Sequence, residues 1–270
     1  MTIGYSIKGK IRIDESSLLI KEHGLMFFFR MSFRYFFWQL AGPLHLYRFF
    51  LPKVTSEINE NLSKSGDLAS VLDLAYSFEY FGLTICPGQV REEIARLLTI
   101  LKDGLKPKRL MELGTNNGGT LFLLCQVAGA DSLLVSLDLP GGQFGGGYPE
   151  WKSRLFRGFA RRSQTVRLVT GNSHDEETLR VVDGILDGAK FDFLLIDGDH
   201  TYEGVKQDFL MYSPLVRKGG IVAFHDIARN TRTKGCNVCD FWNEIKGNYR
   251  MVEIVKDWDQ GWGGIGVLFV

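Results

Sequence analysis

The chain has 270 residues, of which 45% are hydrophobic and 23% are charged, and its formal net charge is +1 at pH 7. This length suits one α/β catalytic domain with an extension, and the composition is that of a folded globular protein rather than a disordered one. The balanced charge, without a Lys and Arg run of the size that phosphate-backbone binding needs, argues against a nucleic-acid partner.

The four cysteines are too few for a disulfide framework in a chain of this length, and no cleavable signal peptide opens the sequence. Both features favour a reducing, cytoplasmic setting. Cys236 and Cys239 form a C-x-x-C motif, which could be half of a zinc site or a redox motif. Because no second C-x-x-C completes a tetrahedral site, we interpret this pair as incidental.

Residues 1–82 form a predicted helical extension. Aromatic side chains crowd residues 24–51, and their spacing of three or four predicts an amphipathic helix that Gly42 and Pro43 interrupt. No uncharged stretch there is long enough to span a bilayer. The aromatic face could lie peripherally in a membrane interface, or it could pack on the catalytic domain or on a second subunit of a homo-oligomer.

Residues 83–270 form the predicted catalytic domain, in which short β-like runs alternate with helical patterns, as in βαβ units. The predicted parallel strands are Arg109–Leu113, Leu133–Leu137, Val166–Thr170, Phe191–Ile196 and Gly220–Phe224. The predicted helices are Val90–Leu101, Thr120–Val127, Glu176–Leu186 and Tyr202–Leu215. Two terminal runs, Arg250–Lys256 and Gly264–Val270, predict an antiparallel hairpin at a sheet edge. The predicted fold is α/β, with a doubly wound, Rossmann-like seven-stranded sheet and an aromatic-rich helical extension.

A glycine-rich turn follows the first predicted strand and precedes a helix, so a ligand can approach its backbone beside the helix N-terminus. The turn lacks G-x-G-x-x-G, and Glu112 would sit poorly near a dinucleotide pyrophosphate. A carboxylate there suits a ligand with an ammonium group, such as the methionine end of S-adenosylmethionine. The predicted cofactor contacts in this turn are Glu112, Gly114, Thr115, Asn116 and Gly118.

Asp138 ends the second predicted strand, at the distance from the glycine turn where a carboxylate can accept hydrogen bonds from both ribose hydroxyls. A nicotinamide cofactor would use the same residue, so Asp138 predicts an adenosine ligand without naming it. Asn172 and Ser173 follow the third strand, and we predict that they contact the edge of the adenine ring. Asp175 could instead cap the next helix.

Acidic residues and histidines follow the fourth and fifth predicted strands. The carboxyl ends of adjacent parallel strands lie about 5 Å apart at the ligand-binding edge, so Asp197 and Asp226 are predicted to reach one cation. His225 is the third candidate ligand. Carboxylates and an imidazole without a thiolate favour Mg²⁺ or Mn²⁺ over Zn²⁺.

A divalent cation would help methyl transfer to an alcohol by orienting two vicinal oxygens of the acceptor and stabilising the alkoxide, while a nearby base takes the proton. Two residues are candidates for this base. If the strand continued, side-chain alternation would place Asp199 on the same side as Asp197. If the chain turns at Gly198, the His200 side chain would point into the pocket. The sequence pattern does not decide whether Asp199 or His200 is the base.

Five stretches together resemble the class I methyltransferases grouped with cephalosporin hydroxylase and macrocin-type sugar O-methyltransferases. They are Ile85–Gln89, Glu112–Thr115, Asp138–Gly142, Ile196–Val205 and Phe224–Ile227, and Asp197–Gly204 is the most specific part. The likeness covers roughly residues 83–270. It implies that S-adenosylmethionine supplies a methyl group to a hydroxyl of a sugar or polyhydroxylated small molecule, with help from a divalent metal.

The resemblance also implies roles for the strand-end residues. One acidic metal ligand follows the fourth strand and two adjacent ligands follow the fifth, which assigns Asp197 and the pair His225 and Asp226. The chain offers His225 where an acidic residue is common in the family. The base falls on Asp199 or, by the pattern of the similar catechol O-methyltransferases, on His200.

The glycine-rich residues 140–149 directly follow the ribose carboxylate, and they are either a mobile lid that presents Phe144 and Tyr148 to the acceptor or a rigid stack of turns. Gln89 and Trp262 are further candidates for the acceptor pocket. The small hydroxylated acceptor is the predicted partner.

Two rival functions use the same chain differently. An oxidoreductase or hydroxylase on this fold is disfavoured because the chain has neither G-x-G-x-x-G nor an evident two-His-one-carboxylate triad at ligand spacing. A non-catalytic, membrane-associated binding protein is disfavoured by the joint presence of Asp197, Asp199 and Asp226.

The two interpretations of the aromatic segment predict different behaviour toward lipid. If its face lies in a membrane interface, the full chain should co-sediment with liposomes and a chain without residues 1–52 should not, because the apolar area and the arginines would be lost. Equal sedimentation of the two chains would exclude the membrane interpretation.

Overall fold

The computed structural model describes residues 46–161 and 163–270, so most of the predicted amphipathic helix lies outside the described residues. Helices α1 (Tyr47–Lys64) and α2 (Leu68–Ser77) belong to the predicted extension. A short antiparallel hairpin of β1 (Glu79–Tyr80) and β2 (Leu83–Thr84) follows them. In the described part of the chain, every helix is too short or too polar to cross a membrane.

A seven-stranded sheet forms the centre of the domain. Its strands are β3 (Arg109–Leu113), β4 (Leu133–Asp138), β5 (Thr165–Thr170), β6 (Phe191–Ile196), β7 (Val216–His225), β8 (Arg250–Ile254) and β9 (Ile265–Phe269). The order across the sheet is β5-β4-β3-β6-β7-β9-β8. Strands β3 to β7 pair in parallel, whereas β9 runs antiparallel to both β7 and β8. The predicted α/β fold with a C-terminal hairpin is confirmed.

Six helices accompany this sheet. They are α3 (Arg91–Thr99), α4 (Gly119–Val127), α5 (Lys152–Arg157), α6 (Glu176–Leu186), α7 (Tyr202–Tyr212) and α8 (Val238–Ile245). A π-helical segment, Ile100–Leu105, continues α3, and short 3₁₀ turns follow α7 and α8. The four predicted helices are present, and α5 and α8 were not predicted.

Apolar side chains on the two faces of the sheet build two cores. Along β3, Leu110 faces one core while Met111 and Leu113 face the other, as the alternation of a strand requires. Helices α1 to α5 pack on the first face and α6 to α8 on the second. Burial on both faces explains why the central strands are nearly continuous hydrophobic runs.

The strand order reverses between β3 and β6, which is where ligands bind in open α/β sheets. Gly114 directly follows β3 at this point and has φ of +95°. A Cβ atom there would lie 2.1 Å from the carbonyl oxygen of Asp197, so glycine is needed for the two strand ends to approach. The glycine turn and the acidic end of β6 are therefore direct neighbours.

The packing of Trp242 predicts a large effect of its removal on stability. Its ring is fully buried against Gly266 of β9, and its indole N–H donates to Glu253 Oε1 of β8 at 2.7 Å. We expect Trp242→Ala to lower the free energy of unfolding by about 3–5 kcal/mol in urea denaturation, because it leaves a cavity. Trp258→Ala is the control, since Trp258 is 54% exposed. An equal effect of both substitutions would contradict the prediction.

Candidate active site

The predicted cofactor residues lie together at the carboxyl ends of β3 and β4. The backbone N–H of Asn116 donates to Asp138 Oδ2 at 2.8 Å, which ties the glycine turn to the end of β4. Gly118 directly precedes α4 and has φ of +79°, a conformation that suits glycine. Burial raises the pKa of Asp138, although backbone N–H groups of Asn116 and Gly147 act in the opposite direction.

Glu112 is almost completely buried directly before the glycine turn. Ser136 Oγ donates to Glu112 Oε1 at 2.7 Å, and the other carboxylate oxygen has no hydrogen-bond partner. Burial raises the pKa of this carboxyl well above its usual range, and the carboxylates of Asp138 and Asp197 raise it further. A buried carboxylate oxygen without a partner is costly, and a cationic ligand would relieve that cost.

The glycine-rich residues 140–149 lie across Asp138. Gly147 N donates to Asp138 Oδ1 at 2.9 Å, and a Cβ atom at Gly146 would lie 2.8 Å from the same oxygen. Phe144 from this loop packs edge-on against the His200 ring at 4.9 Å between centroids. The loop thus spans both parts of the site, and a ribose at Asp138 would share or replace the Gly147 hydrogen bond.

Asn172 and Ser173 follow β5, next to the end of β4. Asn172 Oδ1 accepts from the backbone N–H of His174 at 3.1 Å, and the Ser173 carbonyl accepts from Tyr212 Oη at 2.9 Å. Asp175 precedes α6 without a side-chain capping hydrogen bond. The hydrogen bonds of Asn172 and Ser173 therefore hold this loop, and the Asp175 side chain does not cap α6.

Two carboxylates and two imidazoles meet at the carboxyl ends of β6 and β7. His225 Nδ1 lies 3.0 Å from Asp197 Oδ1 and 3.7 Å from Asp226 Oδ2. His200 Nδ1 lies 2.9 Å from Asp226 Oδ2, and His200 Nε2 lies 3.8 Å from Asp197 Oδ1. The side chains predicted to converge at this edge do lie together.

Charge coupling shifts the pKa values within this carboxylate–imidazole cluster. Burial lowers the pKa of His225, but the carboxylates of Asp197 and Asp226 outweigh it and raise the pKa to about 9. Burial also lowers the pKa of His200, but its hydrogen bonds to Asp226 and Cys236 and the charges of the two carboxylates together outweigh burial, so the pKa lies well above the usual value. Burial raises the pKa of Asp226, but the two imidazoles hold it well below the usual range. The carboxylates therefore favour protonated imidazoles in this cluster.

Gln89 fixes the carboxylate of Asp197 from the opposite side. Gln89 is 3% exposed, and its Nε2 donates to Asp197 Oδ2 at 2.6 Å while its Oε1 accepts from Thr120 Oγ1 at 2.7 Å. Tyr76 Oη of α2 donates to the Gln89 carbonyl at 2.7 Å. Gln89, a candidate for the acceptor pocket from the sequence, contacts a predicted metal ligand and links it to the extension.

Asp199 and His200 point to different places. Asp199 Oδ1 accepts from the backbone N–H of Thr201 at 2.9 Å, and a Cβ atom at Gly204 would lie 2.1 Å from Asp199 Cγ. The Asp199 carboxylate thus faces the first turn of α7. Strand alternation predicted that it would lie on the same side as Asp197, and it does not. The chain turns after β6, so the alternation of an extended strand does not continue to Asp199.

Cys236 joins the cluster from the loop before α8, which the sequence analysis missed. Its Sγ lies 3.7 Å from Asp226 Oδ2, and Gly263 N donates to Asp226 Oδ1 at 2.7 Å. Within the described ranges, the group of ligand atoms that all lie within 4.8 Å of one another belongs to His200, Asp226 and Cys236. Cys239 contacts Asp240 instead, so the C-x-x-C motif does not act as a pair.

Residues 111–227 match the protein family described as methyltransferase domain. An uncharacterised protein of Sinorhizobium fredii is 32% identical over 149 residues, which are 54% of this chain and 16% of that protein. An uncharacterised protein of Acanthamoeba polyphaga mimivirus is 31% identical over 122 residues, which are 43% of this chain and 50% of that protein. The matches therefore span half or less of these relatives.

The crystal structure of an O-methyltransferase from Bacillus cereus in complex with SAH has the same fold. The two chains superpose with a TM-score of 0.52 at 18% identity, over 75% of this chain and 90% of that chain. The family match and the strand order agree with this likeness. Residues 111–227 therefore resemble a methyltransferase domain, and the chain has the fold of class I methyltransferases.

The raised pKa of His225 predicts how stability depends on pH in the metal-free protein. Its pKa of about 9 lies above the usual 6.5, so protonated His225 stabilises the fold fully below pH 6.5, and the stabilisation is lost as the pH rises through 9. We expect the free energy of unfolding, measured with a chelator present, to fall across this window. His225→Asn should remove part of the slope, and an unchanged slope would contradict the assignment.

Proposed function

We propose that the chain transfers a methyl group from S-adenosylmethionine to a hydroxyl oxygen of a sugar or another small polyhydroxylated molecule, assisted by a divalent metal. One observation carries the proposal. The glycine turn, the ribose carboxylate and the carboxylate–imidazole cluster share one edge of the sheet, and the Phe144 loop spans them. Cofactor and acceptor would therefore bind side by side.

The methyl donor would bind along the ends of β3 to β5. Asp138 would accept hydrogen bonds from the ribose hydroxyls, and the open approach at Gly114 and Gly118 would let the methionine part pass along the turn. The unpartnered oxygen of Glu112 supports this placement, because an ammonium group is the kind of ligand it lacks. Asn172 and Ser173 would border the adenine.

Asp197, Asp226 and His225 would hold the divalent metal, for which we propose Mg²⁺ or Mn²⁺. Both carboxylates approach the same imidazole nitrogen, since Asp197 Oδ1 and Asp226 Oδ2 lie 3.0 and 3.7 Å from His225 Nδ1. When bound, the metal would orient two acceptor oxygens and stabilise the alkoxide. Gln89 would keep Asp197 directed toward the metal.

His200 would be the base that takes the acceptor proton. Its Nδ1 faces Asp226, which fixes the ring and leaves Nε2 to receive a proton, whereas Asp199 is turned to the backbone of α7. A base must be neutral, and the carboxylates raise the pKa of His200. A cation between those carboxylates would offset their charge and lower that pKa toward the working range.

Trp262 would line the acceptor pocket. Its ring lies edge-on to His225 at 6.4 Å between centroids, and the Arg232 guanidinium lies 5.5 Å from its ring centroid. An aromatic face beside a cluster of polar groups suits a sugar ring, which has apolar C–H faces and hydroxyl edges. This arrangement supports a hydroxyl-rich acceptor.

Calorimetry on two matched variants tests donor and metal binding together. Asp138→Asn should weaken S-adenosylmethionine binding by roughly 10- to 100-fold, because charge-assisted hydrogen bonds contribute about 1.5–3 kcal/mol, and it should leave Mn²⁺ binding unchanged. Asp197→Asn should weaken Mn²⁺ binding and spare the donor. Both substitutions keep the side-chain size, so each variant controls for the folding of the other.

The outcomes separate the two parts of the proposal. Wild-type protein that fails to bind S-adenosylmethionine would overturn the methyltransferase activity. Donor binding without Mn²⁺ binding would overturn the metal assistance alone.

A further inference from the structure

Cys236 has no role in the activity proposed above, yet it lies within the carboxylate–imidazole cluster. Cys236 is 6% exposed, and its Sγ is 3.7 Å from Asp226 Oδ2, which is 2.9 Å from His200 Nδ1. The three ligand atoms lie within 4.8 Å of one another. They supply one sulfur, one oxygen and one nitrogen donor, which is a donor set for a thiophilic metal rather than for Mg²⁺.

Backbone contacts hold these three side chains together. Asn237 N donates to the His200 carbonyl at 2.8 Å, so the chain directly after Cys236 is attached to His200 itself. Gly263 N donates to Asp226 Oδ1 at 2.7 Å, which directs Oδ2 toward His200 and Cys236. The group is therefore assembled by loops after β6, β7 and β8.

The separations are close to those of a tetrahedral zinc site. With Zn–S of about 2.3 Å and Zn–N or Zn–O of about 2.0 Å, neighbouring ligand atoms lie roughly 3.3–3.5 Å apart. The observed separations are 2.9 Å from Asp226 Oδ2 to His200 Nδ1 and 3.7 Å to Cys236 Sγ. Small side-chain rotations would therefore suffice to enclose a cation.

We propose that His200 Nδ1, Asp226 Oδ2 and Cys236 Sγ bind a thiophilic divalent cation of the Zn²⁺ class, with water in the fourth position. Binding would release the thiol proton of Cys236 and the Nδ1 proton of the His200 imidazolium to solvent. This site shares Asp226 with the proposed Mg²⁺ site and uses the imidazole proposed as the base. Zn²⁺ would therefore exclude the Mg²⁺-supported reaction, and the cluster would be an inhibitory zinc site.

Cobalt spectroscopy of the full chain tests for the thiolate ligand without any knowledge of the acceptor. The reduced protein is titrated with Co²⁺ in buffer without Mg²⁺, because the two metals would compete for Asp226. Wild-type protein should show the near-ultraviolet charge-transfer absorption of a cobalt–thiolate bond and the intense visible bands of tetrahedral cobalt. Zn²⁺ should abolish both by displacement.

Two cysteine variants give a matched comparison. Cys236→Ser should lose the charge-transfer absorption and weaken Zn²⁺ binding by more than about 100-fold in competition with a chelator, since loss of a ligand costs more than loss of a supporting contact. Cys239→Ser should behave as wild type, because Cys239 contacts Asp240 outside the group. Thermal unfolding of the metal-free variants checks that both fold.

Each result decides the inference. A charge-transfer absorption that is absent from wild type, retained in Cys236→Ser or lost in Cys239→Ser would overturn it. His200→Asn should keep a thiolate band but bind Zn²⁺ more weakly, and unchanged affinity in that variant would overturn the assignment of His200. None of these results depends on S-adenosylmethionine binding, so failure here is distinct from failure of the proposed activity.

Discussion

The mutual attraction of two carboxylates and two imidazoles at the ends of β6 and β7 is the constraint on which the site depends. Asp197 and Asp226 are taken out of water at adjacent strand ends, and His200 and His225 offset the cost of burying these charges. A bound cation would also offset the charge of the two carboxylates. The residues that balance the cluster are thus the residues that a metal or an acceptor would engage.

The surrounding fold restricts the rotamers of this cluster from several directions. Gln89 holds Asp197 from the side of the extension, and Gly263 holds Asp226 from the C-terminal hairpin. Leu72 and Ala75 of α2 belong to the same core as the first face of the sheet. The proposed boundary at residue 82 therefore separates segments of the chain that share one hydrophobic core in the described residues.

Much of the fold could be predicted from the sequence because its signals are local. The bounds of β3 and β6 agree with the sequence prediction, since strands buried on both faces are continuous apolar runs between polar residues. Helix α8 was missed because its apolar stripe is only eight residues long and follows a loop. Periodicity in so short a segment does not separate a helix from other structure.

The sequence alone determined the α/β class, the glycine turn and the placement of Asp197 and Asp226 at neighbouring strand ends, because parallel strands align their carboxyl ends at one edge. Only the tertiary structure decided that Asp199 turns toward α7 and that Cys236 reaches Asp226. Side-chain direction beyond a strand end depends on how the chain turns there, and contact between loops depends on the packing of the whole sheet. Neither property is encoded in the spacing of a motif.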